Sequence, residues 1–193
     1  MAILGKLLRN RRAGEAHLAW RQPALAGPET LRLSSPEFDD GGAMSAEHAG
    51  RRVGGRDRSP ALAWGELPSD TAQLLLFVED VDVPVGRPFV HCVAVISPAL
   101  AGDGLPAGAL SVREPGAGVT MLRGRLGAGY RGPGPIKGHG PHRYVFQVFA
   151  LGAALPDTVD GKPLARVSPR RVCAAVAKGS VLARGRLTGT YER

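Results

Sequence analysis

Apolar residues along this chain gather into short runs separated by polar, glycine- and proline-rich breaks. Two runs are almost uninterrupted, Gln73 to Val78 and Phe89 to Ile96. Their length and their content of Leu, Val and Phe predict strands buried on both faces. The connection from Glu79 to Pro88 holds Pro84, Gly86 and Pro88 and is too short for a crossover helix, so the two strands are expected to pair antiparallel. A third run, Arg143 to Leu151, alternates Tyr144, Phe146 and Val148 with Val145, Gln147 and Phe149. Val181 to Tyr191 reads as a final strand. Leu31-Arg32-Leu33 and Ala61-Leu62-Ala63-Trp64 read as short ones.

Breaks separate these runs. Ser35-Pro36, Asp39-Asp40-Gly41-Gly42 and Asp157 to Gly161 are turn sequences, and residues 49–58 form a Gly/Arg-rich loop. Residues 98–120 read as irregular. One late helix is predicted: Ser168 as N-cap, Pro169 at the first position, Val172, Ala175 and Val176 as its apolar face, and Gly179 as C-cap. The N-terminal residues differ. Ile3, Leu4, Leu7 and Leu8 fall on one helical face with Lys6, Arg9 and Arg12 around it. Residues 1–29 are therefore set apart as a basic extension, partly helical, ahead of a domain spanning 30–193. Packing on its own domain, contact with a second copy in a homodimer, and contact with a membrane surface all fit such a segment.

Composition narrows the class. At 193 residues and 44% hydrophobic, the chain is long enough for one core without disulfides. Its 27 glycines and 16 prolines favour a turn-rich β fold over a bundle. The net charge of +8 permits anionic partners. No aromatic-rich basic motif accompanies it, so nucleic acid is not expected. Cys92 and Cys173 stand apart and form no CxxC pair, which argues against zinc-ribbon or redox chemistry and for a reduced, cytoplasmic setting. No apolar stretch of about 18 residues is present to cross a membrane, and the N-terminal charges interrupt any signal-like run.

The chemistry concentrates in two clusters. The first is Glu79-Asp80-Val81-Asp82-Val83-Pro84 with Pro88-Phe89-Val90-His91. In extended chain Asp80 and Asp82 share a face, and His91 folds back towards them, where a carboxylate fixes an imidazole's tautomer. The second runs from Gly132-Pro133-Gly134-Pro135 to His139-Gly140-Pro141-His142-Arg143-Tyr144. Gly132 and Gly134 let backbone amides approach an anion, His142 adds a donor, and Tyr144 lies on the same strand face. Carboxylates beside imidazoles suit a zwitterion such as phosphoethanolamine better than a pure anion. A metal-dependent phosphoesterase using the same Asp and His residues is the enzymatic alternative. A serine hydrolase is not, for no Gly-x-Ser-x-Gly is present.

In order and spacing, these residues resemble the phosphatidylethanolamine-binding protein family, in particular its bacterial, Raf-kinase-inhibitor-like branch. Asp80-Val81-Asp82-Val83-Pro84 with Phe89-Val90-His91 resembles the family's Asp-Pro-Asp-x-Pro and His box. Gly129-Tyr130-x-Gly132-Pro133 through Gly138-His139-Gly140-Pro141-His142-Arg143-Tyr144 resembles its second box. Ser59-Pro60-x-Leu62-x-Trp64 and the ending Gly189-Thr190-Tyr191-Glu192-Arg193 match at the margins. The resemblance implies a mainly β fold, an antiparallel Greek-key β-sandwich with a C-terminal helix. It implies a small pocket for phosphate or phosphoethanolamine groups, free or on a lipid headgroup. Asp80, His91 and His142 would line it, Gly132 and Gly134 would present backbone, and Asp82 and Tyr144 would stand behind. His139 matches a variable position and is placed outside the site. A binding protein is implied rather than an enzyme, with no catalytic residue, metal or cofactor. A kinase or a protease is the implied class of protein partner. Departures are Val81 for Pro, Cys92 for Trp, Leu122-Arg123-Gly124-Arg125-Leu126 for the usual lead-in, and Arg131 for Gly. Arg131 and Arg125 are expected to add positive charge at the rim.

Overall fold

The computed structural model describes residues 2–193. Its strands, in chain order, are β1 (Leu33–Ser34), β2 (Leu62–Trp64), β3 (Gln73–Asp80), β4 (Phe89–Ile96), β5 (Gly104–Leu105), β6 (Val119–Met121), β7 (Arg123–Gly124), β8 (Gly127–Ala128), β9 (His142–Leu151), β10 (Thr158–Val159), β11 (Lys162–Pro163) and β12 (Val181–Tyr191). The helices are short: α1 (Ala2–Leu8), α2 (Pro98–Ala101) and α3 (Pro169–Ala174). The principal sheet has the order β12-β9-β3-β4-β6, antiparallel throughout, and a smaller sheet has the order β1-β2-β5. The mainly β fold read from the sequence is the fold observed.

The near-continuous apolar runs follow from two cores. Leu74, Leu76 and Val78 of β3 join Cys92, Ala94 and Ile96 of β4 and Phe146 and Val148 of β9 on one face. There they meet Leu33, Leu62, Trp64 and Leu105 of the small sheet. The intervening residues Leu75, Phe77, Val93, Val95, Val145 and Phe149 fill the opposite face. With both faces covered, neither set of alternating positions is free to be polar.

Three outcomes bear on the sequence reading. Of the roles open to residues 1–29, packing on the chain's own domain is the one observed: Leu18, Ala19, Trp20 and Leu25 are buried in the second core, beside Val172, Cys173 and Val176. Glu79, wholly buried in β3, accepts the amide of Ala19 through Oε2 at 2.7 Å and takes Arg170 Nη2 on Oε1 at 2.5 Å. The amide of Trp20 donates to Gln147 Oε1 at 2.7 Å, and Arg184 lies over the Trp20 ring at 4.0 Å. A segment that reads as an appendage thus satisfies the polar groups of the sheet's outer face. Secondly, α1 turns Ile3, Leu4 and Leu7 to solvent and buries Gly5, so its apolar stripe is not its packing face. A Cβ at Gly5 would stand 2.2 Å from the carbonyl oxygen of Lys137, so only glycine allows this approach. Thirdly, α3 ends at Ala174, short of Gly179. Ser168 holds the N-cap position without a side-chain bond. None of the helices among the described residues is long and apolar enough to cross a membrane.

Candidate functional site

Asp80, His142 and Tyr144 reach one place because of strand parity and pairing. Asp80 ends β3 directly opposite Tyr144 of β9, and positions 74, 76, 78 and 80 face inward between the sheets, as do 142, 144 and 146. His91 arrives by a different device. Val78 pairs with Cys92 but Glu79 pairs with Val90, so β4 carries one extra residue at His91. This bulge flips the alternation: Val90 joins the outer core with Val93 and Val95, and His91 turns towards Tyr144, with ring centroids 5.2 Å apart. The result is a cleft of about 580 Å³ at the open end of the sandwich. Its floor is made by Asp80, His91 and His142. Val53, Val83, Pro84, Val85, Phe89 and Leu126 supply apolar walls, and Arg51, Arg52 and Arg131 stand at its edge.

Hydrogen bonding decides what each group can offer. Asp80 Oδ1 accepts the amide of Asp82 at 2.8 Å, and Oδ2 accepts from His142 Nδ1 at 2.7 Å. The carboxylate thus orients His142, not His91. The other ring nitrogen of His142, Nε2, meets His139 Nδ1 at 2.8 Å, so both nitrogens of His142 are engaged within the protein. His139, expected outside the site, is buried and directly bonded to it. His91 donates through Nδ1 to the carbonyl of Arg131 at 2.5 Å, which fixes its tautomer and leaves Nε2 for the cleft. Burial disfavours the imidazolium and, against the opposing pull of Asp80, holds the His91 pKa below its ordinary value. Neutral His91 therefore presents an acceptor. Tyr144 is buried beneath the two imidazoles and is not among the residues lining the cleft, and its hydroxyl has no hydrogen-bond partner among the described residues. Burial, followed by the Asp80 charge, raises its pKa, so it stays a donor.

Asp82 does not share the face of Asp80. Chain direction changes after β3, and Asp82 faces away from the cleft. Its Oδ2 accepts the backbone and Nε of Arg143 at 2.8 and 2.9 Å, and its Oδ1 pairs with Arg12 at 3.0 Å. Burial alone would raise its pKa, but the hydrogen bonds from Arg143 and Arg12 hold it below the ordinary carboxylate value. It anchors a charged cluster beside the site. Gly132 lines the cleft, but its amide donates to Asp57 Oδ1 at 2.8 Å and is not free for an anion. Its missing side chain serves chain crossing: a Cβ would lie 2.1 Å from the carbonyl oxygen of His48. Gly134 lines the cleft, and a Cβ there would meet only the Val53 side chain, at 3.7 Å. Arg131 stands at the edge as expected; Arg125 is not among the residues lining the cleft.

Sequence reading missed the 50–57 loop, which brings Arg51, Arg52, Val53 and Asp57 to the site. One signal was present, the four arginines and three glycines among residues 50–58 around Asp57, which no strand pattern explains. Asp57 adopts φ of 54°, a left-handed conformation that Asp tolerates better than most residues. Among the described residues no cluster of three or more His, Cys, Asp or Glu side chains is arranged to hold a metal ion.

This arrangement has relatives. The chain is 30% identical to a UPF0098 protein of Aquifex aeolicus over 87% of its length and 92% of that protein. It is 32% identical to the UPF0098 protein YbhB of Escherichia coli over 68% of its length and 84% of the other. Its fold matches that of E. coli YbcL, described as a member of the mammalian PEBP family, with a TM-score of 0.71 at 27% identity, covering 84% of this chain and 98% of that one. The phosphatidylethanolamine-binding protein family model matches residues 34–192, which include every strand and side chain of the cleft described above. The chain belongs to the phosphatidylethanolamine-binding protein family.

Proposed function

We propose that this chain is a non-catalytic binding protein whose cleft takes a phosphate- or phosphoethanolamine-type group. The observation that carries this reading is the neutral His91 ring, whose Nε2 is an acceptor left for the cleft, beside Asp80 and below an arginine edge. A monoprotonated phosphate matches this arrangement, since its P–OH donates to His91 while its other oxygens face the arginines. Asp80 repels a fully ionised phosphate but tolerates the protonated form and attracts an ammonium group. Arg51, Arg52 and Arg131 supply the compensating charge. A phosphorylated side chain of a kinase or another signalling partner presents the same chemistry at the same edge.

Calorimetric titration with inorganic phosphate, phosphoethanolamine and phosphoserine between pH 5 and 8 tests this. Binding is expected to tighten on acidification from pH 8 through the second ionisation of a phosphoester, at about pH 6. His91→Ala should weaken it about tenfold, the worth of one hydrogen bond. Arg131→Gly should weaken it less and flatten its salt dependence. Wild-type protein that binds none of the three, that turns a phosphomonoester over, or that binds no better than His91→Ala overturns the reading.

A further inference from the structure

His139 lies outside the cleft lining but joins it to the N-terminal segment. Its Nδ1 faces His142 Nε2, and its Nε2 lies 2.8 Å from the carbonyl oxygen of Leu8 and 3.2 Å from that of Arg11. The protons along this line can be counted. A carbonyl only accepts, so His139 Nε2 carries a hydrogen. Asp80 Oδ2 and His142 Nδ1 share a second across 2.7 Å. If both imidazoles are neutral and Asp80 is ionised, no hydrogen remains for the 2.8 Å contact between His142 Nε2 and His139 Nδ1, and two lone pairs face each other. The observed line of contacts therefore needs three protons, where an ionised carboxylate and two neutral imidazoles bring two.

The extra proton is required by the segment, not by the cleft. If the carbonyls of Leu8 and Arg11 move away, water can donate to His139 Nε2. The ring then switches tautomer, donates Nδ1–H to His142, and the third proton leaves. We propose that His139 is a proton-dependent latch: docking of residues 2–14 beside the binding site takes up one proton into the Asp80–His142–His139 line, and loss of that proton releases the segment. The segment is otherwise held by few contacts. The amides of Ala13 and Gly14 donate to the carbonyls of Val83 and Val81 at 2.9 and 2.8 Å, Arg12 bonds Pro141 O and Asp82, and Gly5 sits against Lys137. Other charged or titratable groups around the line are His91 and Tyr144 from the sheet, Arg143 with Asp82 beyond it, Lys137 on the preceding turn, and Arg11 and Arg12 on the segment itself. Arg143, whose pKa its hydrogen bonds to Asp82 raise, stays charged, and His91, held below its ordinary value, stays neutral above it. Because Val83 lines the cleft and Val81 flanks Asp80, release frees one wall of the site.

Hydrogen exchange of the full chain tests this without any ligand. The readout is the protection of the Ala13 and Gly14 amides relative to those of Ala19 and Trp20, which are held by Glu79 and Gln147. As pH rises this ratio should fall by up to about tenfold per pH unit, the slope of a one-proton linkage. His139→Gln, whose amide offers a donor and an acceptor but no titration, should leave the ratio independent of pH. Ring-nitrogen spectra of histidine-labelled wild type should show three N–H protons on the His139–His142 pair and Asp80, against two after release. A wild-type ratio that does not change with pH, or a His139→Gln slope equal to wild type, overturns the latch. Neither outcome bears on phosphate binding, so the two proposals fail separately.

Discussion

Gly132 and Gly134 look equivalent in sequence and play unequal parts. A methyl group at Gly132 would meet the backbone of His48, Ala49 and Gly50 at 2.1 to 2.6 Å, and backbone has nowhere to yield. Gly132→Ala is expected to cost about 3 kcal/mol in urea unfolding, the upper range for overpacking. Gly134→Ala, with only the Val53 side chain at 3.7 Å, should stay within about 0.5 kcal/mol of wild type. Equal midpoints for the two variants would remove the chain-crossing role from Gly132. The spacing Gly-Pro-Gly-Pro marked this stretch as a special backbone, but which glycine was crowded depended on a loop eighty residues earlier. Asp80 and His142 were legible as site residues because each ends a strong strand on the inward parity. The ring partner of Asp80 was not, since His91 and His142 lie at similar sequence-level promise and only pairing register chooses between them. His139 escaped for the same reason: its partners are His142 and two carbonyls at the far end of the chain.

At the level of elements, the N-terminal segment divides into two functional stretches. Residues 18–25 fill the outer core and answer the buried polar side chains Glu79 and Gln147, whereas residues 2–14 lie against the cleft. Removing residues 1–12 should leave a cooperative thermal transition with little loss of stability. Removing residues 1–29 uncovers Leu75, Phe77 and Phe149 and strands Glu79 without its Ala19 donor, and should abolish the cooperative transition. Trp20→Ala isolates the packing part and is expected to cost about 3–5 kcal/mol. Cooperative folding of the longer deletion would show that the segment is an appendage. Amphipathic spacing in residues 3–8 predicted a helix correctly, yet the face it buries is the one with Gly5. Burial there is set by close backbone approach rather than by the apolar stripe.

For the whole molecule, two depressed pKa values fix the sign of acid behaviour. His91 is neutral in the fold and its pKa lies below 6.5, so an unfolded chain binds a proton more readily. Its contribution to stability is present above 6.5 and is lost as pH falls through the folded value. Asp82 lies below its ordinary value of 3.8, so its contribution is present above 3.8 and is lost as pH falls through its own folded value. Thermal melting followed by tryptophan fluorescence should therefore show two acid stages, and His91→Gln should remove the first without touching the second. A single stage in wild type, or an unchanged first stage in His91→Gln, would contradict the assignment. The latch works in the opposite direction, loosening as pH rises, so segment docking and global stability are expected to diverge above neutrality.

What the sequence determined by itself is the set of strands, the antiparallel pairing of β3 with β4, the mainly β class and the two polar clusters, because hydrophobic periodicity and turn chemistry are local properties. Family membership followed from the order of those clusters along the chain. What the tertiary structure alone decided is which groups in the clusters are free. A one-residue bulge aims His91, a distant loop brings Asp57 to the amide of Gly132, and the N-terminal carbonyls engage His139. The first is a register set by strand pairing, and the other two are hydrogen bonds between residues far apart in the chain, whose donors or acceptors have several chemically equal candidates nearby. Local pattern says that a buried polar group will find a partner; only the packed arrangement says which one.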